Sequence, residues 1–232
     1  MTQPDPTKYF DQEKAAGYDQ RWAGMAPIND AQHLLLKAIL SELAPDARVL
    51  CVGAGTGAEL LALASSFPGW TFTVVEPAPG MMAVCRQRAA AEGITSRCTF
   101  HEGYLDSLPP TEPFSAATSI LVSHFLIDRQ QRKRYFSEIA ARLQPGGLMV
   151  NAELAADMQS PEYEQLVRHW VSLHRWVGLE AKTDHLGREV ALLSNEEMQN
   201  LLIDSGFISP TLYFQTLLIR TWVSEVAVHP LP

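Results

Sequence analysis

The stretch Val49-Leu50-Cys51-Val52-Gly53-Ala54-Gly55-Thr56-Gly57-Ala58 sets how the rest of the chain is read. Residues 48–52 show no polar alternation, so they read as a strand buried on both faces, the mark of a parallel sheet. Glycines placed directly after such a strand let the backbone turn sharply and approach a ligand with no Cβ in the way. Nineteen residues after Gly57, Glu76 closes a second apolar run, 71–76. At that spacing a carboxylate can accept hydrogen bonds from the two hydroxyls of a ribose. Loop and carboxylate together point to a nucleoside-containing ligand. Read as Gly53-x-Gly55-x-x-Ala58, the loop also satisfies the dinucleotide fingerprint. A dehydrogenase would normally add a second mononucleotide-binding half, whereas this chain finishes with a helix and an apparent β-hairpin.

Working outward, helical spacing of apolar residues predicts helices over 8–23 (Tyr9, Phe10, Ala15, Tyr18, Trp22) and over 30–43, with Pro45 beyond the end. Downstream the pattern predicts a helix at 58–66, a helix at 79–91, strands at 97–101 and 114–122, a helix at 128–143 and a fifth strand at 147–153. Alternating strands and helices imply a parallel sheet covered on both faces, with ligands bound beyond the carboxyl ends of the strands. Residues 155–190 break the rhythm. Ser160-Pro161 offers a helix start, and Tyr163, Leu166, Val167, Trp170, Val171 and Val177 follow at helical spacing. This reads as an inserted helix and loop, a lid or an oligomer contact. Ser194-x-x-Glu197, flanked by Leu193 and Met198, is a capping box for a last helix ending near Gly206. Strands at 211–219 and 221–228, separated by a tight reversal, complete the chain. The expectation is one α/β domain over 1–232, with a helical cover at 1–45 and an inserted cover at 155–190.

Composition narrows the ligand class. With 232 residues, 47% hydrophobic and 19% charged, the chain is ordinary globular protein, large enough to bury a core without disulfides or a metal. A net charge of −8 disfavours nucleic acid and anionic membrane surfaces, which are bound through Lys and Arg. Cys51, Cys85 and Cys98 have no CxxC spacing, so no disulfide framework or zinc site is written here. There is no basic segment followed by an apolar run, and no stretch approaches the roughly 20 apolar residues of a membrane helix. These features predict a cytoplasmic protein with a small-molecule ligand and no membrane or nucleic-acid partner. A homodimer is compatible with the 155–190 segment.

Over nearly its whole length the chain resembles the class I S-adenosylmethionine (SAM)-dependent methyltransferases. The resemblance rests on the glycine loop, on Val75-Glu76-Pro77-Ala78-Pro79-Gly80-Met81-Met82, on Glu102-Gly103-Tyr104, on Ile120-Leu121-Val122-Ser123-His124-Phe125 and on Leu143-Gln144-Pro145-Gly146-Gly147. It implies a Rossmann-like, seven-stranded, mostly parallel sheet ending in a β-hairpin. It also implies SAM as cofactor, S-adenosylhomocysteine as product and methyl transfer to an O, N or C atom of a small-molecule acceptor. By the same resemblance Gly53, Ala54, Gly55, Thr56 and Gly57 cradle the methionine part of the cofactor. Glu76 and Pro77 lie at the ribose, Met81 at adenine, and Gly103, Tyr104 and Leu105 at the adenine edge. Leu121, Val122 and His124 face the methyl group. Two positions depart from the family pattern: Cys51 and Tyr104 stand where the family often has Asp. Asp106 is a candidate to take over from Tyr104.

A closer resemblance is to the carboxy-SAM synthase branch, which converts SAM with prephenate. It rests on Tyr9-Phe10-Asp11-x-x-x-Ala15-x-x-Tyr18-Asp19-x-Arg21, on the insertion and on Gly206-Phe207 followed by Leu212-Tyr213-Phe214-Gln215. In that branch an Arg holds the cofactor carboxylate, and Arg188 roughly matches it as a substrate-binding residue. A SAM-binding protein without catalysis is the other alternative, since fold does not fix function.

Each candidate also has a plainer reading. His124 is either a general base, suited by the ordinary histidine pKa, or a hydrogen-bonded residue closing the pocket. Tyr18 and Arg21 either wall the cofactor or serve as a buried aromatic and a solvated charge. His169 and His174 are five apart, poor spacing for one helix face, so no metal is expected. The run Arg129, Arg132, Lys133, Arg134 reads as a solvated helix face.

Overall fold

The computed structural model describes residues 12–228. Tyr9, Phe10 and Asp11, part of the expected first helix, lie outside the described residues. Seven strands form one sheet: β1 (Arg48–Val52), β2 (Thr71–Glu76), β3 (Cys98–Glu102), β4 (Phe114–Ile120), β5 (Leu143–Leu154), β6 (Phe207–Thr216) and β7 (Ile219–Val226). Their order is β3-β2-β1-β4-β5-β7-β6. The first five are parallel, and β7 pairs antiparallel with both β5 and β6. The order therefore reverses between β1 and β4, and the crevice above that reversal is where open α/β sheets bind ligands. This is the Rossmann-like arrangement that the resemblance implies, built on the parallel sheet that the strand pattern predicts.

Strand alternation divides the core. Val49 and Cys51 of β1, with Phe72 and Val74 of β2, face α3 (Ala26–Leu40), α4 (Ala58–Ser66) and α5 (Pro79–Ala91) through Leu36, Leu40, Leu60, Leu63, Met82 and Ala89. Leu50, Val52 and Val75 point the other way, onto Phe136 and Ile139 of α6 (Arg129–Arg142) and Met198, Leu201 and Leu202 of α8 (Asn195–Asp204). The capping box at Ser194 is formed, with Glu197 N–H donating to Ser194 Oγ at 3.2 Å and Ser194 N–H to Glu197 Oε2 at 2.8 Å.

Several boundaries differ from expectation. The first helix is broken at Gly17 into α1 (Gln12–Ala16) and α2 (Tyr18–Arg21). The second begins at Ala26, earlier than expected, with Pro27 in its first turn, where the missing N–H is no loss. The inserted helix α7 (Tyr163–Trp176) starts after Ser160-Pro161, because Ser160 Oγ accepts from Glu162 N–H in a turn ahead of it. The hairpin reverses at Leu217-Leu218 rather than after Ile219. Leu217 adopts a left-handed φ of 50°, and Leu218 turns fully into a third cluster formed with Met25, Trp170 and Val190. An apolar run that looks like strand is thus a turn whose side chain is buried.

Losing the Ser194 cap should cost about 0.5–2 kcal/mol. Ser194→Ala should shift the denaturant midpoint by that amount with the slope unchanged. An unshifted midpoint would show that α8 is held by its core face alone.

Candidate active site

The carboxyl ends of β1, β2 and β4 converge on the glycine loop. Gly53 N–H donates to Val75 O at 2.8 Å, tying the loop to β2. Its φ is +67°, and a Cβ there would lie 2.5 Å from Cγ2 of Val122, so Val122 beyond β4 presses directly on the loop. Gly55 differs. With φ at +55°, the place its Cβ would occupy has no neighbouring atom within 4 Å, which leaves an open cradle on the ligand side. Below, its N–H donates to Glu76 Oε2 at 2.9 Å, and Ala78 N–H donates to Oε1 at 2.8 Å. Burial pushes the Glu76 carboxyl up, and these two N–H donors partly oppose that rise. Each carboxylate oxygen keeps a further lone pair. The open cradle and the two-point carboxylate therefore fit the cofactor that the resemblance implies.

Other expected cofactor residues are placed around this centre. Ala54 and Thr56 are buried within the loop. Met81 is buried beneath Ala15 and Tyr18, so the N-terminal segment covers the start of α5. Gly103 N–H donates to Glu76 O at 3.2 Å, which brings the β3 turn alongside. Tyr104 is exposed, while Leu105 packs into the core against Val52 and Val75. Pro77 is half-buried. Leu121, with a left-handed φ of 59°, sets the turn that delivers Val122, and its N–H donates to Ala152 O at 2.7 Å.

The N-terminal cover is fastened to the loop. Thr56 Oγ1 donates to Asp19 Oδ1 at 2.7 Å, while Arg88 Nη1 donates to Asp19 Oδ2 at 2.6 Å and to Thr56 O at 3.2 Å. Trp22 then meets His174 of α7 edge-on at 5.9 Å, and His174 lies 4.3 Å from Trp170. Nδ1 of His174 is 2.9 Å from Trp170 O. His174 is thus a core histidine joining the two covers, and no cluster of three metal-ligating side chains occurs among the described residues.

His124 is buried rather than open to solvent, and it is not alone. Its backbone N–H donates to Glu153 Oε2 at 2.9 Å, and its ring Nδ1 lies 3.2 Å from the same oxygen. Ser123 Oγ donates to Glu153 Oε1 at 2.6 Å. Arg132 Nε donates to Ser123 Oγ at 2.7 Å, and its Nη2 is 3.3 Å from Glu153 Oε2. Arg132 is only 2% exposed, so the reading of its run as a solvated face is wrong at this position. Burial opposes the charge on Glu153, but Arg132, His124 and Ser123 overcome it and hold the carboxyl below its usual value. Leu154 N–H also approaches Nδ1, but at 3.4 Å, so the shorter contact with the ionised Glu153 carboxylate favours a proton on Nδ1 and the lone pair on Nε2. None of the His124 bonds to described residues uses Nε2.

Glu153 and Arg132 were missed by sequence reasoning, though a signal existed. A carboxylate inside a strand buried on both faces must be paired, and a basic residue on the adjoining helix is the natural partner. Arg188 and Arg21 are not brought to the centre by any contact. Arg188 is 68% exposed and donates from Nε to Asp184 O at 2.7 Å. Arg21 is exposed, 6.0 Å from the Trp22 ring centre.

Residues 49–147 match a family model described as a methyltransferase domain. The matched stretch runs from β1 into β5 and carries the glycine loop, Glu76 and the turn after β4. No curated protein matches the chain. Among solved structures, the fold is similar to that of a Bordetella parapertussis protein described as a possible exported protein (TM-score 0.66, 21% identity, 85% of this chain and 67% of that one). It is also similar to a SAM-dependent methyltransferase from Methanosarcina mazei (0.63, 18%, 83% and 98%). A third likeness is to an O-methyltransferase family 2 protein of Planctomyces limnophilus in complex with apigenin (0.61, 17%, 93% and 62%). Apart from the Methanosarcina structure, the chain spans between 52% and 67% of the length of the structures matched.

Removing the Glu76 carboxylate deletes charge-assisted hydrogen bonds worth about 1.5–3 kcal/mol each. Glu76→Ala should weaken SAM binding at least tenfold by calorimetry. Equal affinity in the two proteins would place the ribose elsewhere.

Proposed function

We propose that this chain moves the methyl group of SAM to a hydroxyl oxygen of a small-molecule acceptor, on one domain roofed by the 1–45 and 155–190 segments. The observation that carries the reading is the placement of the His124–Glu153 pair. It sits two residues from Val122, whose side chain touches the cofactor loop at Gly53. A base held there stands beside whatever occupies the loop. Several solved structures of the same fold are named as O-methyltransferases, among them mitomycin 7-O-methyltransferase, which supports oxygen over nitrogen or carbon.

When bound, SAM supplies a methyl group on a sulfonium, and S-adenosylhomocysteine is what remains after transfer. The chain's own part is orientation and proton removal. Holding the acceptor oxygen in line can supply roughly 7–11 kcal/mol. His124 Nε2 takes the hydroxyl proton, Glu153 keeps Nδ1–H pointed inward, and the resulting imidazolium is paired with the Glu153 carboxylate. Tyr18, Trp22 and α7 exclude water. The buried position that makes His124 look merely structural is also what a base needs, because a dry carboxylate orients the ring more firmly than a solvated one.

His124→Gln should lower the rate of S-adenosylhomocysteine formation about 10²–10⁴-fold with SAM affinity unchanged, measured over a panel of phenols and aliphatic alcohols. SAM binding without turnover by the unmodified protein on any of them would favour the non-catalytic reading.

The carboxy-SAM alternative needs a cation at the extra carboxylate, which in a dry pocket must be paired. Arg188, bonded to Asp184 at the surface, favours methyl transfer instead. Arg188→Ala should change SAM affinity less than about threefold, the scale of an exposed charge. A hundredfold preference for carboxy-SAM that vanishes in Arg188→Ala would put the synthase-like reading in its place.

A further inference from the structure

Arg132 joins four separate parts of the site. It rises from α6, donates through Nε to Ser123 in the turn after β4, faces the Glu153 carboxylate at the end of β5, and donates through Nη1 to Ala191 O at 3.3 Å. Ala191 is where the chain returns from the inserted cover, and its N–H donates to His124 O at 2.8 Å. The cover's last residues are therefore held at two points, once by His124 and once by Arg132. Nη2 also points at Met198 Sδ of α8, 3.8 Å away. No other guanidinium among the described residues reaches Glu153 within ion-pair distance.

We infer that Arg132 is a positioning residue for methyl transfer, which fixes the proton state of the Glu153–His124 pair and locks the returning end of the inserted cover against it. The inference rests on the reading of His124 as the base. A guanidinium suits both tasks because its planar fork donates along several edges at once while its charge stays constant. A lysine can replace the charge but not the fork. Removing the cation leaves Glu153 and His124 with one positive neighbour fewer, so the pair binds a proton more readily. The proton is shared by a coupled pair, so it is the pair's titration that moves to higher pH.

Other charged and titratable groups face this cluster. Arg129 lies one turn back on α6, and Tyr135 one turn on, bonded to Ser119 Oγ at 2.7 Å. Arg220 stands opposite Glu153 on β7 but donates to Asn195 Oδ1 at 2.8 Å. All three are unchanged in the variants below, so differences between variants report Arg132 alone.

The test is a ¹³C-histidine NMR titration of the full chain, with His124 assigned by loss of its signal in His124→Gln, together with amide hydrogen exchange at Ala191. Arg132→Met should raise the midpoint of the pair's titration, followed at the His124 ring carbons, by one pH unit or more, a tenfold gain in proton affinity. Arg132→Lys should move it by less than about 0.3 unit. Both should speed exchange at Ala191 at least tenfold. A midpoint in Arg132→Met within 0.3 unit of the unmodified protein overturns the inference, as does Ala191 protection unchanged in Arg132→Lys. If Arg132→Met does not fold, the exchange rate in Arg132→Lys decides alone. Neither readout needs SAM or an acceptor. A protein that never methylates would thus defeat the functional reading, and this one with it, whatever the titration shows, while an unmoved midpoint in a working enzyme would defeat only this one.

Discussion

Glu153 has no exposed surface, and burying an ionised carboxylate costs several kcal/mol unless the surroundings return it as hydrogen bonds and opposite charge. That constraint shapes the end of the sheet. Two oxygens must be satisfied, so the turn after β4 bends to bring Ser123 Oγ and His124 N–H to them, and α6 carries Arg132 inward instead of presenting its whole basic run to solvent. The same turn forces Leu121 into the left-handed region and swings Val122 onto Gly53. A charge buried in β5 is thus linked, through Ser123 and His124, to the Val122 side chain that packs on the glycine loop.

The two carboxylates of the site live in opposite surroundings. Glu76 is held by two backbone N–H groups and no cation among the bonds described, so burial still raises its pKa. Glu153 meets a guanidinium, an imidazole and a hydroxyl, and its pKa falls. Environments that push two acids apart are how one fold assigns them different tasks. One is suited to accepting bonds from neutral hydroxyls, the other to steadying a positive ring.

How much was legible in advance depends on the range of the interaction concerned. The strand–glycine–carboxylate order, the capping box at Ser194 and the alternation of elements are local, and each appears where the residues place it. The reversal at Leu217-Leu218 could not be read that way, because three consecutive aliphatic residues favour strand until a third apolar cluster claims Leu218. Arg132 is the instructive miss. Its neighbours Arg129 and Arg134 are exposed as expected, and nothing within one helical turn distinguishes it; the distinction lies in Glu153, twenty-one residues away in strand β5. His124 was flagged for its place after β4, yet the partner that defines its tautomer was invisible for the same reason.

The roof over the site has a consequence for how sequences of this kind can drift. Gly24, between α2 and α3, lies against the end of α7: a Cβ there would come within 2.6 Å of Val177 Cβ and 3.0 Å of its carbonyl oxygen. Its glycine identity follows from crowding rather than from turn geometry. A larger residue at 24 fits only if 177 retreats, and retreat at 177 pulls on His174 and the Trp22 ring it meets. The two covers, more than 150 positions apart along the chain, are therefore one mutational unit. Substitutions tolerated in either should be found in pairs, and a graft of one cover from a distant relative should carry the other with it.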